Sequence, residues 1–150
     1  MARLSAISIH RSVAAVSDTP YRSAYGVLAL LESDADARHR ALADGEAQLA
    51  KASVSHNHIS LREYGIDACL QAGEWQAAED NCSNLERFTS AEPLPLSDFL
   101  IARGRALARF GRGERDAPLL AGLLKLRDEA VACELNVALP ALEKAIGALQ

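Results

Sequence analysis

Alanine and leucine make up about a third of the 150 residues, and this constrains the fold more than any other feature. Both are strong helix formers because they lose little side-chain freedom in a helix. Valine, isoleucine and threonine, which favour strands, together number fewer than about 15, and aromatic residues account for 5%. The composition therefore predicts an all-α protein.

Length and charge narrow the class of protein further. A chain of 150 residues has the length of one average domain, so we predict a single helical domain over residues 1–150, with a weakly patterned segment at 1–18. The net charge is −4, and neither half of the chain is basic, which argues against a nucleic-acid-binding domain.

The sequence also indicates the compartment. No segment approaches the apolar length of a membrane span, and His10 and Arg11 interrupt the apolar run at the N-terminus before it reaches the length of a signal peptide. The cysteines are odd in number and widely spaced, at Cys69, Cys82 and Cys133. This pattern predicts reduced, buried thiols and a cytoplasmic protein.

Helical periodicity and capping residues predict about seven helices. The Thr19-Pro20 pair is typical of a helix start, and Gly73 is typical of a helix end that needs a positive φ. We expect a polar turn at 53–58 and an extended link at 92–96, where two prolines lie close together. The predicted segments are 20–32, 36–52, 59–72, 75–89, 97–110, 115–134 and 139–149, with a weaker one at 4–16.

Two turns with similar surroundings lie about 38 residues apart, at 72–75 and 110–114. Helix–turn–helix units at a fixed period indicate an α-solenoid. The first turn resembles the second half of a tetratricopeptide repeat, with Gly73 in the turn, Trp75 opening the next helix and Ala78 within it. Gly104 and Leu107 resemble the first half of the following repeat. This resemblance implies antiparallel helical hairpins stacked as a short tetratricopeptide-like superhelix.

A second resemblance covers residues 54–107. The segments 54–58, 72–75, 92–99 and 101–107 are similar to the C-terminal helical-repeat region of bacterial adenylate/guanylate cyclase proteins. The similarity implies a regulatory or interaction segment of bacterial origin, and it carries over no catalytic residue.

The candidate partner-binding residues are Arg105, Arg109 and Arg112, whose spacing of i, i+4 and i+7 places them on one helix face. Such a face can clamp an acidic peptide or a phosphate. The alternative is a solvated helix surface whose arginines pair with acidic residues of a neighbouring helix. We favour this alternative because charged stripes are common on the exposed faces of surface helices.

The most conspicuous candidate ligand pair is His56 and His58. With Cys69 or Cys82 it offers zinc ligands, but a structural site needs four, and no second pair has metal-like spacing. We therefore predict a capping turn and no metal or cofactor. Nothing local activates a cysteine as a nucleophile, so we predict that the chain is not an enzyme.

Together these features favour a protein–protein interaction or regulatory scaffold module with a groove for a protein or peptide partner. The alternative is a small-ligand sensor or an enzyme with an internal pocket. A homodimer is a further expectation, because both ends of the chain carry apolar residues with few charges, Ile146 being the proposed contact at the C-terminal end.

Overall fold

The computed structural model describes residues 24–51 and 55–150, and all regular structure in these ranges is helical. The all-α prediction is confirmed for these residues. The weakly patterned segment at 1–18, with its predicted helix at 4–16, and the Thr19-Pro20 helix start lie outside the described residues. The α-helices are α1 (Ala24–Leu31), α2 (Ala35–Leu49), α3 (Ser55–Ala72), α4 (Trp75–Thr89), α5 (Pro95–Gly111), α6 (Ala117–Ala132) and α7 (Leu139–Gly147), with a short 3-10 helix at Asn136–Ala138 before α7.

The chain divides into two compact units. The first ends at Ala68 and the second spans Cys69–Gln150, so the boundary falls inside α3. The single domain over 1–150 stays a prediction.

In the first unit, α1 packs on α2 around a small apolar core that includes Leu28, Ala29, Ala41 and Ala68. Asp34 caps α2, because its side chain accepts a hydrogen bond of 2.8 Å from the backbone N–H of Ala37. The buried Arg38 donates from Nη1 to the carbonyl oxygen of Glu32 at 2.8 Å, just beyond the end of α1. A cation is favourable there because the helix dipole places negative potential at the C-terminus.

In the second unit, α4 packs on α5, α5 also contacts α6 and α7, and α6 packs on α7. Each helix buries one stripe of residues at helical spacing. The fully or nearly fully buried side chains include Ala78, Cys82 and Leu85 of α4, Phe99, Leu100 and Ala108 of α5, Leu119, Leu123 and Ala130 of α6, and Leu142, Ala145 and Ile146 of α7. Because Ile146 belongs to this core, α7 does not present it as a surface for a dimer contact.

Among the described residues, three helices are followed by a residue with left-handed backbone: Gly73 with φ 75°, Gly113 with φ 96° and Glu134 with φ 57°. At Gly73 the turn is a Schellman motif, in which Glu74 N–H bonds the carbonyl of Cys69 at 2.9 Å and Gly73 N–H bonds that of Leu70 at 3.2 Å. The same pair of bonds recurs at Gly113 and at Glu134. The predicted positive φ at Gly73 is confirmed.

Two regions that were predicted to be non-helical belong in part to helices. Residues 92–96 are not all extended, because α5 begins at Pro95. Proline fits the first helical position, where its missing N–H would have no partner in the helix, and the preceding Leu94 is extended as expected. The helix predicted from residue 59 begins at Ser55, so His56, like His58, lies in its first turn rather than in a polar turn before it.

The prediction of three buried thiols holds for Cys69 and Cys82 only. Cys133 is exposed, because it is the C-cap residue of α6 and lies in the turn that leaves the helix at the surface.

Candidate functional site: the arginine face of α5

The three candidate arginines lie along α5 and at its end, and each meets a carboxylate of the same chain. Arg105 makes a two-pronged contact with Glu86 of α4, with Nη1–Oε1 at 3.1 Å and Nη2–Oε2 at 2.7 Å. This fork-to-carboxylate geometry is the strongest form of an ion pair between these groups. The hydrogen bonds from Arg105, and then its charge, hold the pKa of Glu86 below its usual value.

Arg112 bridges the same two helices further along. Its Nη1 donates to Oε1 of Glu79 at 2.8 Å, and this hydrogen bond lowers the pKa of Glu79 despite some burial, which acts in the opposite direction. Arg105 and Arg112 thus join α5 to α4 at two points separated by two helical turns.

Arg109 pairs with two acidic residues that follow the end of its own helix. Its Nε donates to Glu114 at 2.8 Å, and its Nη2 lies 3.4 Å from Asp116, which is also the N-cap of α6. In the same turn, the guanidinium of Arg115 lies over the Phe110 ring at 4.2 Å from its centroid. These contacts fix the connection from α5 to α6.

Four carboxylates therefore surround three guanidinium groups on this face. Each of the three guanidinium groups therefore already has a carboxylate of the same chain as a partner. The sequence predicted that the three arginines share one helix face. In the structure, Arg105 and Arg112 pair with acidic residues of the neighbouring helix α4. This observation favours the alternative interpretation, a solvated surface with ion pairs inside the chain. The use of this face as a docking site stays a proposal.

The two histidines have different surroundings. His56 is exposed, whereas the Nδ1 atom of His58 lies 3.2 Å from Nη1 of Arg62. Because a guanidinium only donates hydrogen bonds, Nδ1 is the acceptor and the ring proton of neutral His58 is on Nε2. Arg62 also donates a hydrogen bond from Nη2 to Oε2 of Glu46 in α2, at 3.1 Å.

Burial, followed by the charge of Arg62, lowers the pKa of His58, while Glu46 acts in the opposite direction. His58 is therefore neutral at physiological pH and supports the nearly buried Arg62. Among the described residues no group of three or more His, Cys, Asp and Glu side chains is placed to hold a metal ion.

The two buried cysteines, Cys69 and Cys82, have different surroundings. Burial raises the pKa of the Cys82 thiol to about 11, so the thiolate is scarce near neutral pH. The Cys69 sulfur accepts a weak hydrogen bond from the Asn81 amide at 3.9 Å.

Sequence reasoning missed the burial of three arginines, Arg38, Arg62 and Arg103. The spacing of His58 and Arg62 at i and i+4 was a usable signal for that contact. Glu46 lies 16 residues away on another helix, and nothing in the sequence marks it as the partner. No pattern distinguishes Arg38 from an ordinary surface arginine.

In the described ranges, no helix combines the length and the apolar character that crossing a membrane requires. Comparison with known proteins gives no match to a family model, to a curated protein or to a solved structure.

Proposed function

We propose that this chain is a non-catalytic protein–protein interaction module whose helices stack as in tetratricopeptide repeats. The observation that carries the proposal is the order of the ion pairs between α4 and α5. Glu79, early in α4, pairs with Arg112, which follows the last residue of α5; Glu86, later in α4, pairs with the earlier Arg105. The reversed order supports an antiparallel hairpin, which is the building unit of an α-solenoid.

A close contact at one end of this pair supports the same arrangement. Trp75 opens α4 and Gly111 closes α5, and a Cβ built on Gly111 would lie only 2.6 Å from three ring atoms of Trp75. The indole therefore packs directly on the glycine backbone, and the start of one helix meets the end of the next.

The order of helix contacts also fits stacking. Within the second unit α5 contacts its neighbours α4 and α6, and also α7, the next helix after α6. Repeat proteins stack this way because each unit buries its apolar face against the adjacent unit. The left-handed turns at Gly73, Gly113 and Glu134 end α3, α5 and α6 abruptly, as short hairpin connections require.

We further propose that Arg105, Arg109 and Arg112 receive carboxylate groups of a protein or peptide partner. The side chains of Arg105 and Arg109 are each 38% exposed, and surface ion pairs of this kind contribute little to stability. Replacing an internal carboxylate by one from a partner is therefore nearly neutral in energy. The proposal includes a regulatory or scaffold role in the cytoplasm, where three free cysteines are expected to persist.

Exchanging the two charges of one ion pair distinguishes binding of an external acidic peptide from ion pairing within the chain. In the double variant Glu86→Arg/Arg105→Glu the ion pair remains but the cation moves from α5 to α4. The probe is an array of acidic peptides with matched peptides in which glutamine replaces glutamate, titrated at low and moderate salt.

The wild type should bind the acidic peptides, more weakly as salt is raised. The swap variant should keep its melting temperature and lose most of that binding, whereas Lys125→Glu, a charge reversal on the exposed face of α6, should retain it. Equal binding by the swap variant, or equal binding of the glutamine peptides, contradicts a role for these arginines in docking. Absence of binding to every acidic peptide contradicts the proposed partner class.

A further inference from the structure

Two of the three arginines on the face of α5 already have two guanidinium nitrogens bonded to carboxylates of the chain. Glu86 accepts hydrogen bonds from Nη1 and Nη2 of Arg105. Glu114 accepts from Nε of Arg109, and Asp116 accepts from its Nη2. Each of these two arginines therefore keeps a single nitrogen that has no acceptor among the described residues.

Arg112 differs, because only its Nη1 is bonded, to Oε1 of Glu79 at 2.8 Å. Its Nε and Nη2 atoms lie on one edge of the guanidinium and meet no acceptor among the described residues. The N–H groups on such an edge match the spacing of two carboxylate oxygens, so one carboxylate can accept from both. Arg112 is exposed, and it can take this two-pronged contact while Glu79 stays bonded to Nη1.

The Arg112 side chain is held at both of its ends. The backbone N–H of Arg112 bonds to the carbonyl of Ala108 at 3.0 Å, which fixes the residue at the end of α5. The guanidinium is bonded to Glu79 of α4, and the two side chains are 32% and 29% exposed. The corresponding values for Arg105 and Glu86 are 38% and 57%, so the pair at Arg112 is the better shielded of the two pairs that join α4 to α5.

We infer that Glu79 is a positioning residue of the arginine face, which holds Arg112 so that its Nε–Nη2 edge receives a carboxylate of the partner. The inference rests on the proposed binding of acidic partners by this face. A long side chain loses rotational freedom when it binds, and this loss weakens binding. The bond to Glu79 removes part of that freedom beforehand. The same hydrogen bond lowers the pKa of Glu79, so its carboxylate remains charged in mildly acidic solution.

The test separates the hydrogen bond of Glu79 from its charge. Glu79→Ala removes both, whereas Glu79→Gln removes the charge and keeps an oxygen that can accept from Nη1 of Arg112. The probe is the acidic peptide of the array that the wild type binds most tightly, with its glutamine counterpart as the blank. Glu79→Ala should raise the dissociation constant about three- to tenfold. Glu79→Gln should leave it within about twofold of the wild-type value, since the acceptor remains.

Charge alone makes the opposite prediction for Glu79→Ala, because removing a negative charge beside the site should tighten the binding of an acidic peptide. Glu86→Ala is the matched control. It removes the same group from the same helix and releases both terminal nitrogens of Arg105, so it should bind the peptide at least as tightly as the wild type. In an Arg112→Gln background, Glu79→Ala should cause no further loss of affinity. Helical spectra and melting temperatures show whether each variant is folded.

Binding by Glu79→Ala that equals or exceeds that of the wild type overturns the inference and leaves the proposed binding face intact. An equal loss in Glu79→Gln also overturns it, because the effect then belongs to the charge. The same holds for an undiminished loss in the Arg112→Gln background, because Glu79 then does not act through Arg112. A wild type that binds no acidic peptide contradicts the proposed function, and this inference with it.

Discussion

The packing of Trp75 on Gly111 makes a prediction that runs against helix propensity. Gly111 is the last residue of α5 and has ordinary helical backbone, so replacing it by alanine should gain up to about 1 kcal/mol from propensity alone. The added Cβ, however, would lie 2.6 Å from ring atoms of Trp75, and overpacking of this kind costs about 1–3 kcal/mol. We expect Gly111→Ala to lower the free energy of unfolding by about 1 kcal/mol.

Gly122 is the matched control in the same unit. It lies in α6, and a Cβ built there meets no atom within 4 Å. Gly122→Ala should therefore raise the free energy of unfolding by about 0.5–1 kcal/mol. The same chemical change is expected to have opposite signs at the two positions.

Urea denaturation followed by far-UV circular dichroism measures both values. A double-mutant cycle completes the test: in a Trp75→Leu background, Gly111→Ala should lose its penalty, with a coupling energy of about 1–3 kcal/mol. If Gly111→Ala stabilises the wild type as much as Gly122→Ala does, the indole does not pack on this glycine and the reasoning fails.

Three further outcomes are expected. Gly73→Val should cost about 1–3 kcal/mol of stability because valine is strained at a φ of 75°, and an unchanged melting temperature would contradict this. Glu134→Gly should stabilise the chain by about 0.5–1 kcal/mol in thermal melts by relieving a left-handed backbone, whereas Glu134→Ala, which retains a Cβ, should not. Because the pKa of His58 is lowered in the folded chain, the unfolded chain binds more protons just below pH 6.5. The contribution of His58 to the free energy of unfolding should therefore be constant above that pH and decrease as the pH falls further. His58→Asn should flatten this slope and His56→Asn serves as the control from the same turn; a slope that persists in His58→Asn would contradict the assignment.

The helices were predictable because their signals are local. Alanine and leucine fill the helices, and Gly73 marks a helix end through its own backbone freedom, so a short window of sequence contains the information. The errors at Ser55 and Pro95 are also local. Short polar residues and proline are found both in turns and in the first turn of a helix, so residue type alone does not decide between the two.

Partners across helices were not predictable in the same way. The i, i+4, i+7 spacing shows that Arg105, Arg109 and Arg112 share a face, but Glu86 and Glu79 lie 19 and 33 residues from the arginines they meet. Only the docking of α5 on α4 selects these carboxylates among the acidic residues of the chain. The contact of Gly111 with Trp75 is hidden for the same reason.

The place of Trp75 has a consequence for how this chain can be observed. It is the single tryptophan of the sequence and it lies in the unit Cys69–Gln150, whereas all three tyrosines, at positions 21, 25 and 64, precede Cys69. Each compact unit therefore has its own intrinsic fluorophore. Excitation at the red edge of the absorption band, where indole alone absorbs, reports separation of Trp75 from Gly111, while tyrosine signals report the other unit. Intrinsic fluorescence can therefore show, without a label, whether the two units unfold together or one after the other.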